Sequence, residues 1–356
     1  MIGKEHQPPV IISKLEALLR RLSKYFVRRL EIESQLGKFK AGYSGELSLD
    51  YYLNNLPDKE YVILHDLRLQ IKSSFIQIDT LILHRHFILI LEVKNIAGDI
   101  YIDTNFNQMI RTLNGKTEVF PDPILQAYRQ KVELERWLLE RWLMENKCPT
   151  VPIEHLVVLT NPHTQIKNTT EEQVTQRLVR SAKLPFKIES YTHFYPIPSL
   201  TPKELSKMTK LLLKHHTPQT YDVLHQFNVS QTDIICGVYC VQCESAPMER
   251  MGGTWRCRSC KSVQKDAHVY SLRDYAFLIR PSITNREARE FLQLESPSAT
   301  RKILQKMNLS TTGSTKDKRY DLTPLMEHPP SPPGKSIVKS SMKHNSRSQR
   351  THRRTP

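Results

Sequence analysis

Residues 77–95, QIDTLILHRHFILILEVKN, hold two apolar runs, 78–83 and 87–91, on either side of a polar break at His84-Arg85-His86. That layout predicts a β-hairpin, although Arg-His is not a favoured two-residue turn. The runs are apolar on both faces, so their strands should be central in a sheet covered on both sides. With a loop of two or four residues, Leu83 faces Ile88, Leu81 faces Ile90, Asp79 faces Glu92 and Gln77 faces Lys94. Residues directly opposite share a face, and so do side chains two apart along one strand. Asp79, Glu92 and Lys94 therefore converge at one end of an apolar surface.

Two carboxylates paired across neighbouring strands have Cβ atoms about 5 Å apart, where like charges repel unless a cation sits between them. Hard oxygen ligands at that separation suit Mg²⁺ or Mn²⁺. Lys94 adds a positive group able to orient a water or to stabilise charge on a phosphate. The competing reading is a surface ion pair between Glu92 and Lys94, with Asp79 capping a strand end. Against it, the triplet closes a run of buried residues and has a second acid opposite.

Asp79 followed by Glu92-Val93-Lys94 resembles the D…(E/Q)xK core of the PD-(D/E)xK nuclease superfamily. More narrowly, Gly42-Tyr43-Ser44-Gly45-Glu46, Gln77-Ile78-Asp79, Leu91-Glu92-Val93-Lys94-Asn95 and Pro123-Ile124-Leu125-Gln126 stand in the order seen in NERD (nuclease-related) domains. The resemblance covers roughly residues 38–141. It implies an α/β, restriction-endonuclease-like mixed sheet flanked by helices, and metal-dependent hydrolysis of phosphodiesters. Asp79 and Glu92 would hold Mg²⁺ (or Mn²⁺), Lys94 would position or polarise the attacking water, and Glu46 would be a fourth member on the helix before the sheet. Gln126 matches a recurrent position and would orient the site or touch phosphate, the alternative being the polar face of an exposed helix.

The remaining composition fits such a partner. Lys and Arg number 52 against 36 Asp and Glu, for a formal charge of +16. That excess points to a polyanion, with nucleic acid, DNA above all, ahead of an anionic membrane surface. No apolar run approaches the ~20 residues that span a bilayer, and the first ten residues lack a signal-peptide core. The expectation is therefore an intracellular, cytoplasmic, bacterial protein. Four of the six cysteines lie in two C-x-x-C pairs, which fits metal binding in a reducing compartment better than a disulfide framework. Cys148 stands alone, as a small buried side chain.

In chain order, residues 13–36 read as a basic amphipathic helix, able to lie on a membrane or DNA but more simply packed on the next domain. A second helix should open after Gly42 with Ser44 as N-cap, placing Glu46 in its first turn, where the helix dipole alone favours an acid. Residues 61–69 read as a strand feeding the hairpin. Residues 98–102 and 109–113 should extend the sheet, with Asn114-Gly115 a turn. Pro123 opens a long helix to about residue 145, with Gln126 and Arg129 on one face. Residues 153–160 read as a further buried strand. These readings divide the chain into 1–36, a nuclease-like domain at 37–160, a helical connecting region at 161–232, a zinc ribbon at 233–268, a winged helix-turn-helix at 269–325 and a disordered basic tail at 326–356.

Cys240-x2-Cys243 and Cys257-x2-Cys260 have the spacing of four thiolates around tetrahedral Zn²⁺, with Gly252-Gly253-Thr254-Trp255-Arg256 as the intervening hairpin of a zinc ribbon. Cys236 and His268 remain unassigned. Beyond it, Thr284-Asn285-Arg286-Glu287 is a capping box opening one helix, and Ser296-Pro297 starts another. In that second helix Ala299, Ile303, Leu304 and Met307 should face inward, and Arg301 and Lys302 outward. With Lys316, Lys318 and Arg319 in a following wing, the segment resembles a winged helix-turn-helix touching nucleic acid, a plain helical hairpin being the alternative. The last 26 residues carry seven Lys or Arg and no acid, as a disordered segment would. The whole reads as a metal-dependent nuclease with a nucleic-acid-binding appendage. A nucleic-acid-binding protein with a silent or conditional nuclease fold is the alternative, and a membrane-surface protein a third.

Overall fold

A computed structural model describes residues 1–57, 59–143, 150–167, 171–314 and 317–327. Cys148, Lys316 and the basic tail from 328 lie outside the described residues. The chain divides into two compact units, 1–234 and 235–356. Among the described residues no helix is long and apolar enough to cross a membrane.

The first unit is built on the hairpin. Its main sheet has the order β1 (Ile2–Lys4), β2 (Val62–Ile71), β3 (Ser74–Leu83), β4 (Ile88–Lys94), β8 (Ile153–Leu159), β10 (Leu178–Arg180). β2, β3 and β4 are antiparallel neighbours, while β1, β8 and β10 pair in parallel, making the sheet mixed. The hairpin register is the expected one, with Leu83 opposite Ile88 and Leu81 opposite Ile90. Its unfavoured turn is held from outside. His84 N–H donates to Phe87 O, and the Arg85 carbonyl accepts from the N–H groups of Ser199 and Leu200 at 2.9 Å each.

Both faces of the hairpin are covered. The helices of this unit are α1 (Val10–Arg21), α2 (Arg29–Leu47), α3 (Asp50–Leu53), α4 (Pro123–Leu138), α5 (Glu172–Arg177), α6 (Leu184–Phe194), α7 (Pro202–Lys214) and α8 (Val223–Gln226). On one face Leu81, Leu83, Ile88 and Ile90 pack with Leu134 and Trp137 of α4 and with Leu205, Met208 and Leu212 of α7. On the other, Ile82, Leu89 and Leu91 meet Leu53 of α3 and Leu184, Ile188 and Tyr191 of α6. Full burial of each such side chain is worth about 1.5–3 kcal/mol, which explains why the runs carry no polar alternation.

Four sequence readings are corrected. The N-terminal helix is two helices, because residues 22–28 form a break in which Tyr25 and Val27 stand exposed. The helix expected to open after Gly42 is the end of α2, which runs through Gly42, Ser44 and Gly45, so Ser44 is not an N-cap. Residues 98–121 do not extend the main sheet. They form a second sheet, β7 (Lys116–Pro121), β6 (Gln108–Leu113), β5 (Gly98–Asp103), β9 (Thr164–Ile166), with Asn114-Gly115 as the tight turn. Residues 161–232, read as a helical connector, supply β9 and β10 to the two sheets and Leu200, Leu205, Met208 and Leu212 to the core.

The second unit begins with a three-stranded antiparallel sheet, β11 (Glu249–Met251), β12 (Thr254–Arg256), β13 (Val263–Gln264). Gly252 and Gly253 both take positive φ in its first turn, where a β-carbon would strain the backbone. There follow α9 (Ala267–Leu278), β14 (Ser282–Thr284), α10 (Asn285–Leu292), α11 (Pro297–Lys306), β15 (Thr311–Thr312), β16 (Arg319–Asp321) and α12 (Thr323–Glu327). The capping box at Thr284 and the Ser296-Pro297 start are where the sequence puts them. In α11, Thr300 rather than Ala299 is fully buried, its hydroxyl satisfied by Ser296 O at 3.0 Å. β14 and α9 had no sequence reading, and they complete an α-β-α-α-β-β order with strands arranged β14-β16-β15.

Candidate functional site

Asp79 occupies an irregularity. The β2–β3 ladder runs through His65 opposite Thr80 and resumes at Leu67 opposite Ile78, leaving out Asp66 and Asp79. Asp66 has φ of 50°, and Leu64 and Leu67, three apart, enter the same core. The β3–β4 ladder likewise ends at Thr80 opposite Leu91, one position short of Asp79 and Glu92. Freed from both ladders, the Asp79 carboxylate accepts from Val93 N–H at 2.8 Å.

Glu92 lies on the α4 side of β4 and is 2% exposed. Lys94 Nζ donates to Glu92 Oε1 at 2.6 Å and to Gln126 Oε1 at 3.2 Å. Gln130 Nε2 donates to Glu92 Oε2 at 2.7 Å and to Gln77 O at 3.0 Å. The helix that brings both glutamines is started by Asp122, whose side chain accepts from Ile124 N–H. Sequence reasoning found Gln126 and missed Gln130. One turn on in α4, it lies on the same helix face and inside the protein, whereas Arg129 is exposed.

Glu46 comes from the last turn of α2, not the first turn of a new helix. The dipole argument for an acid there is thus reversed, since a helix C-terminus disfavours one. A close approach keeps the helix end over the sheet. A β-carbon on Gly45 would lie 2.6 Å from Asn95 Cβ and 3.0 Å from Thr160 Oγ1, and Asn95 Nδ2 donates to Ala41 O at 2.8 Å.

The three acids feel one another. Burial, then the charges of Glu92 and Glu46, push the Asp79 carboxyl well above the usual range, with Val93 N–H and Lys94 acting in the opposite direction. Burial, then the charge of Asp66, pushes Glu46 up to about 7, with Glu92 and a hydrogen bond to Asp66 adding to the shift and His6 opposing it. Buried carboxylates that repel in this way are stabilised by a cation, and an oxygen-only donor set fits Mg²⁺ or Mn²⁺. Asp79 and Glu92 are the residues placed to hold it, with Lys94 alongside.

The cysteine module is built from two equivalent knuckles. Cys240 N–H donates to Ser245 O and Glu244 N–H to Cys240 O; Cys257 N–H donates to Ser262 O and Lys261 N–H to Cys257 O. Glu244 and Lys261, each just after the second cysteine, both take positive φ. Cys240 Sγ lies 3.6 Å from Cys260 Sγ, and Cys243 Sγ lies 3.5 Å from Cys257 Sγ. Thiolates at 2.3 Å around a tetrahedral zinc would be about 3.8 Å apart, so the set fits. His268 is engaged elsewhere, its Nδ1 accepting from Trp255 Nε1 at 3.1 Å inside the core.

Of the side chains expected to touch nucleic acid, Arg301 and Lys302 are exposed on α11. Lys318 stands over the Tyr320 ring. The Arg319 guanidinium is engaged by both oxygens of Glu287 at 3.2 Å each, an ion pair joining β16 to α10.

Residues 41–160 match the nuclease-related domain (NERD) family. This part of the chain is a nuclease-related domain. Glu46, Asp79, Glu92, Lys94, Gln126 and Gln130 all fall inside it. No curated protein matches the chain, and no solved structure does.

Proposed function

We propose that the protein is a metal-dependent nuclease that hydrolyses phosphodiester bonds in nucleic acid, with DNA as its substrate. The observation that carries the reading is the convergence of Asp79, Glu92 and Glu46 beside Lys94 within a nuclease-related domain. Mg²⁺ or Mn²⁺ held by Asp79 and Glu92 would supply Lewis-acid polarisation of the phosphate. Lys94 Nζ orients the attacking water and offsets charge on the phosphate oxygens. Gln126 and Gln130 hold Lys94 and Glu92 in place from α4. Glu46, its carboxyl pushed up to about 7, is able to give or take a proton at the edge of the centre.

The second unit is read as the nucleic-acid-binding part. The α-β-α-α-β-β order and the β14-β16-β15 sheet support a winged helix-turn-helix in which α11 presents Arg301 and Lys302, with Lys318 in the wing. Arg319 is left to structure. Zn²⁺ on Cys240, Cys243, Cys257 and Cys260 would make the preceding segment a zinc ribbon.

One observation favours a conditional centre as the second reading. Both Glu92 oxygens already accept hydrogen bonds, from Lys94 and Gln130, so metal entry competes with them. Purified protein incubated with labelled linear, circular and single-stranded DNA in Mg²⁺, Mn²⁺ or EDTA separates the two. Cleavage abolished by EDTA supports the nuclease; binding without cleavage in either metal supports the conditional centre.

A further inference from the structure

Apart from the acidic centre and the four cysteines, the described residues hold a further group of metal-ligating side chains, with no counterpart in the sequence reading. His6 follows β1, Asp50 opens α3, and His65 and Asp66 lie in β2. Donor atoms of His6, Asp50 and His65 all lie within 4.8 Å of one another. The His6 side chain is 3% exposed and that of His65 2%. The two imidazoles stack, centroids 3.6 Å apart and planes 22° off parallel. Neither ring nitrogen of His6 makes a hydrogen bond, and neither do Asp50 Oδ1 or Asp66 Oδ2, though all four atoms are buried. Buried polar atoms without hydrogen bonds are unfavourable, and two of the four, His6 Nε2 and Asp50 Oδ1, face each other at 3.3 Å, where one ion could serve both.

The contacts fix what that partner meets. His65 Nδ1 is 3.0 Å from Thr80 Oγ1, and His6 Nδ1 is 3.6 Å from Asp66 Oδ2. With a proton on each Nδ1, directed at a hydroxyl and at a carboxylate, both Nε2 lone pairs are left free. Those two nitrogens lie 3.3 and 3.8 Å from the same atom, Asp50 Oδ1. Ligands about 2.1 Å from one ion sit about 3.0–3.4 Å apart, so the donors are already near ligand spacing, and binding would require the stacked rings to fan open until both lone pairs meet the ion. A second ring nitrogen bonded to hydroxyl or carboxylate is how metal-binding histidines are oriented. We propose that His6 Nε2, His65 Nε2 and Asp50 bind a first-row transition ion such as Mn²⁺, Fe²⁺, Co²⁺ or Zn²⁺, at a site separate from Asp79 and Glu92, with Asp66 and Thr80 orienting the rings. Two imidazoles select such an ion over Mg²⁺. Three protein ligands leave positions open for water or a phosphate oxygen. Glu46, with a ligand atom within 4.8 Å of those of His6 and Asp66 and within the field of Glu92, borders both centres. The ligand set does not use Asp79, Glu92 or Lys94, so it does not rest on the nuclease reading, although Asp50 and His65 lie within residues 41–160.

The test uses the full-length chain as Glu92→Gln, which disables the acidic centre, with one Zn²⁺ on the cysteines. Titrated with Co²⁺, it should take up one further ion. Proton NMR should then show hyperfine-shifted, solvent-exchangeable imidazole N–H signals, which neither four thiolates nor carboxylates alone can give. Adding His6→Gln or the near-isosteric Asp50→Asn should weaken Co²⁺ binding at least about tenfold while leaving the cysteine-bound zinc in place. Absence of shifted imidazole signals on Co²⁺ addition, or unchanged Co²⁺ affinity in a folded Asp50→Asn chain, overturns the proposal.

Discussion

The cysteine module and the acidic centre both gather donors that repel one another, but they do so at opposite ranges. Each pair of cysteines is set by its own knuckle, a few residues of backbone with one left-handed turn residue, and a single hairpin brings the pairs together. The acidic centre draws Glu46 from α2, Asp79 from β3, Glu92 and Lys94 from β4, and Gln126 and Gln130 from α4. Its scaffold is the double-faced hairpin core. On the proposed reading, the first arrangement would depend on zinc for its fold, whereas in the second the fold would come first and the metal would serve chemistry.

The sharpest way to break this contrast is chelation. Structural zinc contributes on the order of 10–16 kcal/mol, so stripping it from the full chain should expose residues 236–264 to limited proteolysis while residues 62–94 stay protected. Equal protection of both segments after zinc loss contradicts the difference in kind. Next in size is Lys94→Ala. A lost electrostatic contributor at a reacting phosphate costs about 10²-fold or more in rate; because Glu92 is buried, removing its cation also costs stability. Cleavage that collapses in a variant still folded at the assay temperature places Lys94 in the chemistry.

Smaller effects sharpen the account. The folded-state pKa of Glu46, at about 7, lies above its unfolded value, so the folded form binds the extra proton. Stability should then fall as pH rises from about 4.5 through 7. Glu46→Gln should remove that dependence, stabilising the metal-free chain on the order of 1–3 kcal/mol at pH 8 and little at pH 5; thermal melts in EDTA at both pH values read it. Smallest is the second unit: Arg301→Ala and Lys302→Ala should each reduce the salt slope of DNA binding by about 1. An unchanged slope returns both to a solvated helix face.

What was legible in the sequence follows the same division. The hairpin register could be read because the polar break between the runs is short, and a loop of two or four residues fixes the pairing. The cysteine spacing and the caps at Thr284 and Ser296 are local and came through intact. Glu46 was found by resemblance but given the wrong helix end. Gly42, Ser44 and Gly45 look like breakers, and only the approach of α2 to Asn95 explains a glycine inside a helix. Gln130 could have been found from its four-residue spacing to Gln126. His65-Asp66, a polar pair inside the buried strand 61–69, was a visible signal that went unused. The arrival of His6 beside it depends on β1 pairing with β2, and no local pattern encodes that.

Mg²⁺-dependent cleavage by Glu92→Gln tests the central claim most directly. The substitution keeps size and one of the two hydrogen bonds that Glu92 accepts, since Lys94 and Gln130 donate to different oxygens, and removes the charge that pairs with Lys94 and meets the ion. With Leu81, Leu83, Ile88 and Ile90 untouched, the variant should remain folded, which its thermal melt checks. The account predicts a cleavage rate at least about 10²-fold lower in a folded protein that still binds DNA. A folded variant that cleaves as fast as an active wild type would place the chemistry elsewhere.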